Sequence, residues 1–124
     1  MGQMLMWLKH NMHPKAKAYT KDESMKLIRK YIERNDEYLK LIAMNRSMGR
    51  GTQYAERDEE KIKMTRWDEQ AMFDTDGIRI PDILCPKQCK LLKNWNGDLN
   101  LLHTFKYARF RSNRIIKNRM NFHL

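Results

Sequence analysis

The side chains best placed to do chemistry cluster towards the C-terminal end. The stretch KYARFRSNRIIKNRMNF, residues 106–122, interleaves Lys106, Arg109, Arg111, Arg114, Lys117 and Arg119 with Tyr107, Phe110 and Phe122. Arginine forks pair bidentately with phosphate oxygens, and aromatic rings give flat faces on which unpaired bases stack. The combination points to nucleic acid. The plainer alternative is a solvated basic tail with Ile115 and Ile116 packed on the body. Salt separates the two: neutralising about six phosphates gives a log–log salt slope of about 4 to 5 in magnitude, whereas a slope below about 2 removes the arm as the main contact.

Other chemistries find little to work with. Cys85 and Cys89 lie one helical turn apart, and His10, His13, His103 and His123 are the only histidines. The spacing is not C-x-x-C and no second pair follows, so buried or idle thiols are expected rather than a zinc site. There is no glycine-rich phosphate loop, no pair of carboxylates in an apolar setting and no nucleophile elbow. The expectation is a protein without catalytic residues, metal or cofactor.

Charge is uneven along the chain. Its 124 residues carry 25 Lys and Arg against 15 Asp and Glu, a net charge of +10. Residues 1–21 hold four lysines and no acid, residues 22–84 hold 12 basic and 14 acidic groups, and residues 85–124 hold nine basic groups against the single Asp98. A near-neutral body with cationic ends concentrates its field on a polyanion. An acidic lipid surface fits less well, because residues 106–124 show no wide apolar face. With 41% apolar residues and a mean hydropathy of −0.84, one domain with a thin core is expected. No run of about 18 apolar residues suggests a membrane span. Two cysteines make no multi-bridge framework, which suggests a reducing compartment. Residues 1–21 contain neither Arg nor Ser, which argues against a mitochondrial presequence.

The elements that must position these groups read as helices. Residues 3–12 carry Met4, Leu5, Trp7, Leu8 and Met12, and Pro14 stops them. Thr20 and Glu23 form a capping box that opens a long helix over 20–46. Its buried face is expected to carry Ile28, Tyr31, Ile32, Asn35, Tyr38, Leu39 and Ile42. Arg46, Gly49, Arg50 and Gly51 make a basic turn. A second long helix, 55–73, is expected to cover the first with Met64, Trp67 and Ala71, with Phe73 near its end. Residues 78–84, IRIPDIL, read as an extended connector in which Pro81 forbids a helix interior or a central strand. Pro86 opens a helix over 86–96 bearing Cys89, Leu92 and Trp95. Asp98 caps a short turn, and Ser112 could cap a helix around Ile115, Ile116 and Met120. Trp67 and Trp95 are both expected in the core. The fold class is all-α: a small irregular domain of two long and two or more short helices, 1–105, with a basic C-terminal arm, 106–124.

Two stretches resemble the translation machinery-associated protein 16 family. They are WLKHNMHPKAKAYTKDESMKLIRKYI, Trp7 to Ile32, and FDTDGIRIPDIL, Phe73 to Leu84. In that family a Trp-containing helix leads through a Pro and a Tyr-Ser/Thr cap into a long helix. A G-x-x-I-P-D-I-L segment then precedes a helix ending in Trp and an Asp-Leu pair, here Trp95 and Asp98-Leu99. The resemblance covers roughly residues 4–110. It implies a non-enzymatic, all-helical factor that joins large-subunit (pre-60S) precursor particles. Its partners there would be ribosomal RNA, ribosomal proteins and other assembly factors, with no membrane or small-molecule substrate. It further implies a monomer within the particle and residence in the nucleus and nucleolus, with the cytoplasm as a second location. Lys15, Lys17, Arg46 and Arg50 fall in basic loops that would suit ribosomal RNA, and Trp7, Tyr31, Pro81 and Trp95 look structural. Two rival readings remain: an integral protein of the large ribosomal subunit, and a DNA-binding helical module, although no short helix-turn-helix pair stands out.

Overall fold

The computed structural model describes residues 2–49 and 53–112, the side chains of 53–57 excepted. Helix α1, Gly2–Asn11, buries Leu5 and Leu8 completely, and Trp7 meets Tyr31 edge-on at 5.3 Å. The capping box forms in full. The Thr20 N–H donates to Glu23 Oε1 and the Glu23 N–H to Thr20 Oγ1, both at 3.1 Å. Two otherwise orphaned donors are thereby satisfied where α2, Lys21–Ser47, begins. At 27 residues α2 is about 40 Å long.

Helix α3, Gln53–Asp74, runs back along α2, but not on the face that apolar spacing predicts. Met64 is 65% exposed and Trp67 71% exposed, so Trp67 is not a core residue. The face turned to α2 instead carries charge. Arg34 grips Glu69 with two bonds, at 2.9 and 3.1 Å. The buried Asn35 donates to the same carboxylate at 2.7 Å, and Arg66 reaches Asp36 at 2.7 Å. Arg46 pairs with Glu59 further out. These pairs select the contact face because Met64 and Trp67 lie roughly opposite Glu69 and Arg66 around the helix. On α2, Ile28, Ile32 and Asn35 are buried and Tyr31 half-buried as the spacing predicts, but Tyr38 is 51% exposed. No described residue of α2 beyond Asn35 is fully buried, and the outer half of the α2–α3 hairpin stands clear of the core.

Gly77 turns the chain out of α3 at φ +90°, and a Cβ there would sit 3.1 Å from the Phe110 carbonyl oxygen. Strand β1, Ile78–Pro81, follows. Its antiparallel partner β2, Tyr107–Phe110, comes from the segment that the sequence places in a free arm. The register pairs Ile78 with Phe110, Arg79 with Arg109, Ile80 with Ala108 and Pro81 with Tyr107. Pro81 is tolerated because both strands of a two-stranded sheet are edges. Helix α4, Pro86–Lys93, is shorter than predicted and ends with Asn94 as its C-cap. Asp98 then caps a 3₁₀ helix, Leu99–Thr104, by accepting from the Asn100 N–H at 3.0 Å.

The core gathers Leu5, Leu8, Ile28, Ile32, Phe73, Ile80, Ile83, Leu92, Trp95 and Phe105 where α1, the first half of α2, the end of α3, the sheet and α4 meet. Ser112 closes it: its N–H donates to Phe73 O at 2.9 Å and its hydroxyl bonds Asp74. The molecule is a small helical domain, with the two-stranded ribbon as its one addition among the described residues. No helix among them is long and apolar enough to cross a membrane. The predicted helix around Ile115 and Met120 lies outside the described residues.

Candidate nucleic-acid interface

The loop between α1 and α2 is held rigid. The His13 N–H donates to the Tyr19 hydroxyl at 2.7 Å, the Lys15 N–H to His13 Nδ1 at 3.1 Å, and the Tyr19 N–H to Ile83 O at 2.8 Å. Lys93 of α4 ties this loop down from the other side, donating to the carbonyls of Pro14, at 3.2 Å, and Ala16. Lys9 similarly bonds the Trp95 carbonyl. Between loop and helix runs an open groove of about 500 Å³, lined by Pro14, Lys15, Ala16, Lys17, Pro86, Lys90, Lys93 and Asn94. Four of these eight are lysines and none is acidic. Pro86 at the start of α4 adds the positive end of a helix dipole to one wall. The Lys93 ammonium is engaged by the loop carbonyls, while those of Lys15, Lys17 and Lys90, on flexible stems along rigid walls, suit phosphates as point charges rather than as bidentate partners.

The structure thus joins Lys15 and Lys17, two predicted contacts, to Lys90 and Lys93, which were only part of a charge count. The signal in the sequence was the acid-free PKQCKLLK of α4; what it lacked was the knowledge that this helix faces the 13–19 loop. Arg46 is set apart, exposed at the outer end of the hairpin and paired with Glu59. Arg50, Arg114, Lys117 and Arg119 lie outside the described residues. Lys106, Arg109 and Arg111 are exposed on and beside β2. Arg79 joins them from β1, with its guanidinium 4.6 Å from the centre of the Tyr107 ring. Sequence reasoning missed Arg79 because a connector has no faces until it finds a partner strand.

The stacking role expected of Tyr107 and Phe110 is corrected. Phe110 is only 5% exposed, in the core, and Tyr107 is half-buried beneath Arg79. Strand alternation sends Phe110 inward because Ile78, its partner, already lies on the buried face. Of the cysteines, Cys89 is fully buried with its sulfur 3.9 Å from Ala16 O, and Cys85 is half-buried. Burial pushes the Cys89 thiol up, against the opposing pull of Lys93. Among the described residues no three of His, Cys, Asp and Glu converge as metal ligands.

Known proteins resemble this chain over most of its length. The model of the family described as translation machinery-associated protein 16 matches residues 1–112. Curated relatives of that name match the chain at 35% identity over 107 residues in Danio rerio, 34% over 106 in Xenopus laevis and 31% over 107 in Bos taurus. Each alignment covers 85% of this chain but only 55%, 54% and 52% of the relative respectively, so the chain spans about half their length. The relatives' name denotes association with the translation machinery, not an enzymatic activity. The matched region runs from α1 through β2 and takes in the lysine groove, and the chain belongs to the translation machinery-associated protein 16 family.

Proposed function

We propose that the protein is a non-enzymatic ribosome biogenesis factor that binds large-subunit precursor particles through ribosomal RNA and ribosomal-protein contacts. The observation that carries this reading is the acid-free groove in which Lys15, Lys17, Lys90 and Lys93 converge from two separate segments. Contacts of this kind fix position and orientation on folded RNA through its phosphates and shape, without reading bases. The mechanism is occupancy: the bound domain masks an RNA or protein surface until maturation proceeds, and no bond is made or broken. The nucleus and nucleolus, with the cytoplasm as a second location, are the compartments this role requires. The outer hairpin supports the protein half of the reading, since Tyr38, Leu41, Met44, Met48 and Trp67 are more than half exposed. Large exposed apolar side chains of this type are what partner surfaces cover.

The test is purification of the tagged chain from cells, with sequencing of the co-isolated RNA. Precursor spacer sequences should be enriched, and Lys15→Gln/Lys17→Gln/Lys90→Gln should lower their recovery severalfold. Co-sedimentation with translating polysomes would instead indicate a permanent ribosomal protein. Tighter binding to duplex DNA than to structured RNA at matched salt would refute the RNA reading.

A further inference from the structure

The ribbon of β1 and β2 has a feature that the core does not explain. Arg79 and Arg109 are direct partners in its antiparallel register, and both are exposed. Direct partners project to the same face with Cβ atoms about 5 Å apart, and like charges so placed destabilise a sheet. An acid on either side would remove the repulsion, yet among the described residues neither arginine is in an ion pair. Residues 105–112 contain no acid at all. The opposite face of the ribbon is anchored by Ile78, Ile80 and Phe110, so the two strands cannot separate to relieve the repulsion.

Arg79 is also held in place. It stacks on the ring of Tyr107, its diagonal neighbour, with the guanidinium 4.6 Å from the ring centre. That ring is itself fixed, because its hydroxyl donates to Leu102 O at 2.7 Å and its edge meets Phe105 at 6.3 Å. One guanidinium is thus oriented before any ligand arrives, and the other stands opposite it across the ribbon. Lys106 and Arg111 extend the positive field on either side.

We infer that the outer face of this ribbon is a second anion contact, in which Arg79 and Arg109 hold one phosphate of an RNA backbone between them. It rests on the RNA-binding reading above and adds a site distinct from the lysine groove, whose lining includes neither arginine. A phosphate converts the like-charge pair from a liability into two charge-assisted, fork-shaped hydrogen-bond sets. The ribbon should therefore gain stability when the repulsion is removed, and lose RNA in the same step.

The experiment measures binding of the full chain to a structured ribosomal RNA fragment by fluorescence anisotropy over a salt series, beside thermal melting. Arg109→Thr leaves the Arg79–Tyr107 stack intact and places a good strand former in β2. It should weaken binding about fivefold to tenfold, lower the magnitude of the salt slope by about 0.7 to 0.9, and leave the melting temperature equal or higher. Arg109→Lys keeps the charge but loses the fork, so the salt slope should hold while affinity falls severalfold. Lys61→Gln, on the exposed side of α3, removes the same charge elsewhere and should change affinity less than twofold. Wild-type affinity for Arg109→Thr, or a loss no larger than that of Lys61→Gln, overturns the ribbon site and leaves the groove reading standing. Loss of a co-purifying ribosomal protein with RNA affinity intact overturns it too, assigning the face to an acidic protein surface. A wild-type chain that ignores the RNA defeats the underlying reading itself.

Discussion

At the scale of single residues, burial decides what each group can do. Cys85 and Cys89 are one turn apart, yet their environments differ. Cys89 is sealed in the core with its thiol pushed up by burial, while Cys85 is half-exposed before α4. A thiol reacts as its thiolate, so native protein at neutral pH should be alkylated by iodoacetamide at Cys85, with Cys89 protected until denaturant is added. Mass spectrometry of the labelled peptide checks this, and equal labelling of both would contradict the burial. The same logic separates the three tryptophans. Trp95 is buried at 4% exposure and donates its indole N–H to Asp98 O at 2.9 Å, Trp7 leans on Tyr31, and Trp67 is open to solvent.

At the scale of elements, the α2–α3 hairpin is joined by polar contacts where an apolar seam was expected. Glu69 accepts two bonds from Arg34 and one from Asn35 in a partly buried setting. Glu69→Ala should therefore cost about 2 to 3 kcal/mol in denaturant melts by removing the charged acceptor that Arg34 and Asn35 share across the hairpin. Trp67→Gln, the larger change in the sequence, should shift stability by no more than about 0.5 kcal/mol because the side chain is 71% exposed. Acid should loosen the same hairpin. Hydrogen bonds from Arg46 and then Lys63 hold the Glu59 carboxyl below its ordinary value, and the Thr20 backbone N–H and side chain do the same for Glu23 at the start of α2. Folded values below the unfolded 4.5 mean that this stabilisation is complete above 4.5 and is lost as pH falls through the folded values. Thermal melts from pH 7 to pH 3 should show the melting temperature falling below about pH 5, and Glu59→Gln should flatten part of that fall.

At the scale of the whole molecule, basic side chains gather on two faces among the described residues. One is the lysine groove against α4, and the other is the arginine ribbon. In the near-neutral middle segment, Arg34, Arg46, Lys63 and Arg66 pair with acids of the α2–α3 hairpin. Affinity for structured RNA should fall steeply with salt, and Lys15→Gln/Lys17→Gln/Lys90→Gln should lower the magnitude of the log–log slope by about 2 to 3. Because the groove and ribbon share no lining residue, their losses in log affinity should add when the variants are combined. Filter-binding titrations at four salt concentrations measure both quantities, and an unchanged slope in the triple variant would exclude the groove as a phosphate contact.

Local patterns in the sequence were enough to establish the helical class, the capping box at Thr20, the stop at Pro14, and the excess of positive charge. Each of these depends on residues within a few positions of one another, as do the motifs that carry the family resemblance. Tertiary structure alone decided that Arg34, Asn35 and Glu69 select the contact face of α3, leaving Trp67 outside. It also decided that residues 107–110 leave the arm to become a strand, that Lys90 lines one groove with Lys15 and Lys17, and that Arg79 lies beside Arg109 on the ribbon. These outcomes rest on partners about 30 to 80 positions away in the chain, such as Asn35 with Glu69 and Pro14 with Lys93. Spacing along one segment describes which faces it has, but only the packed partner determines which of them is covered.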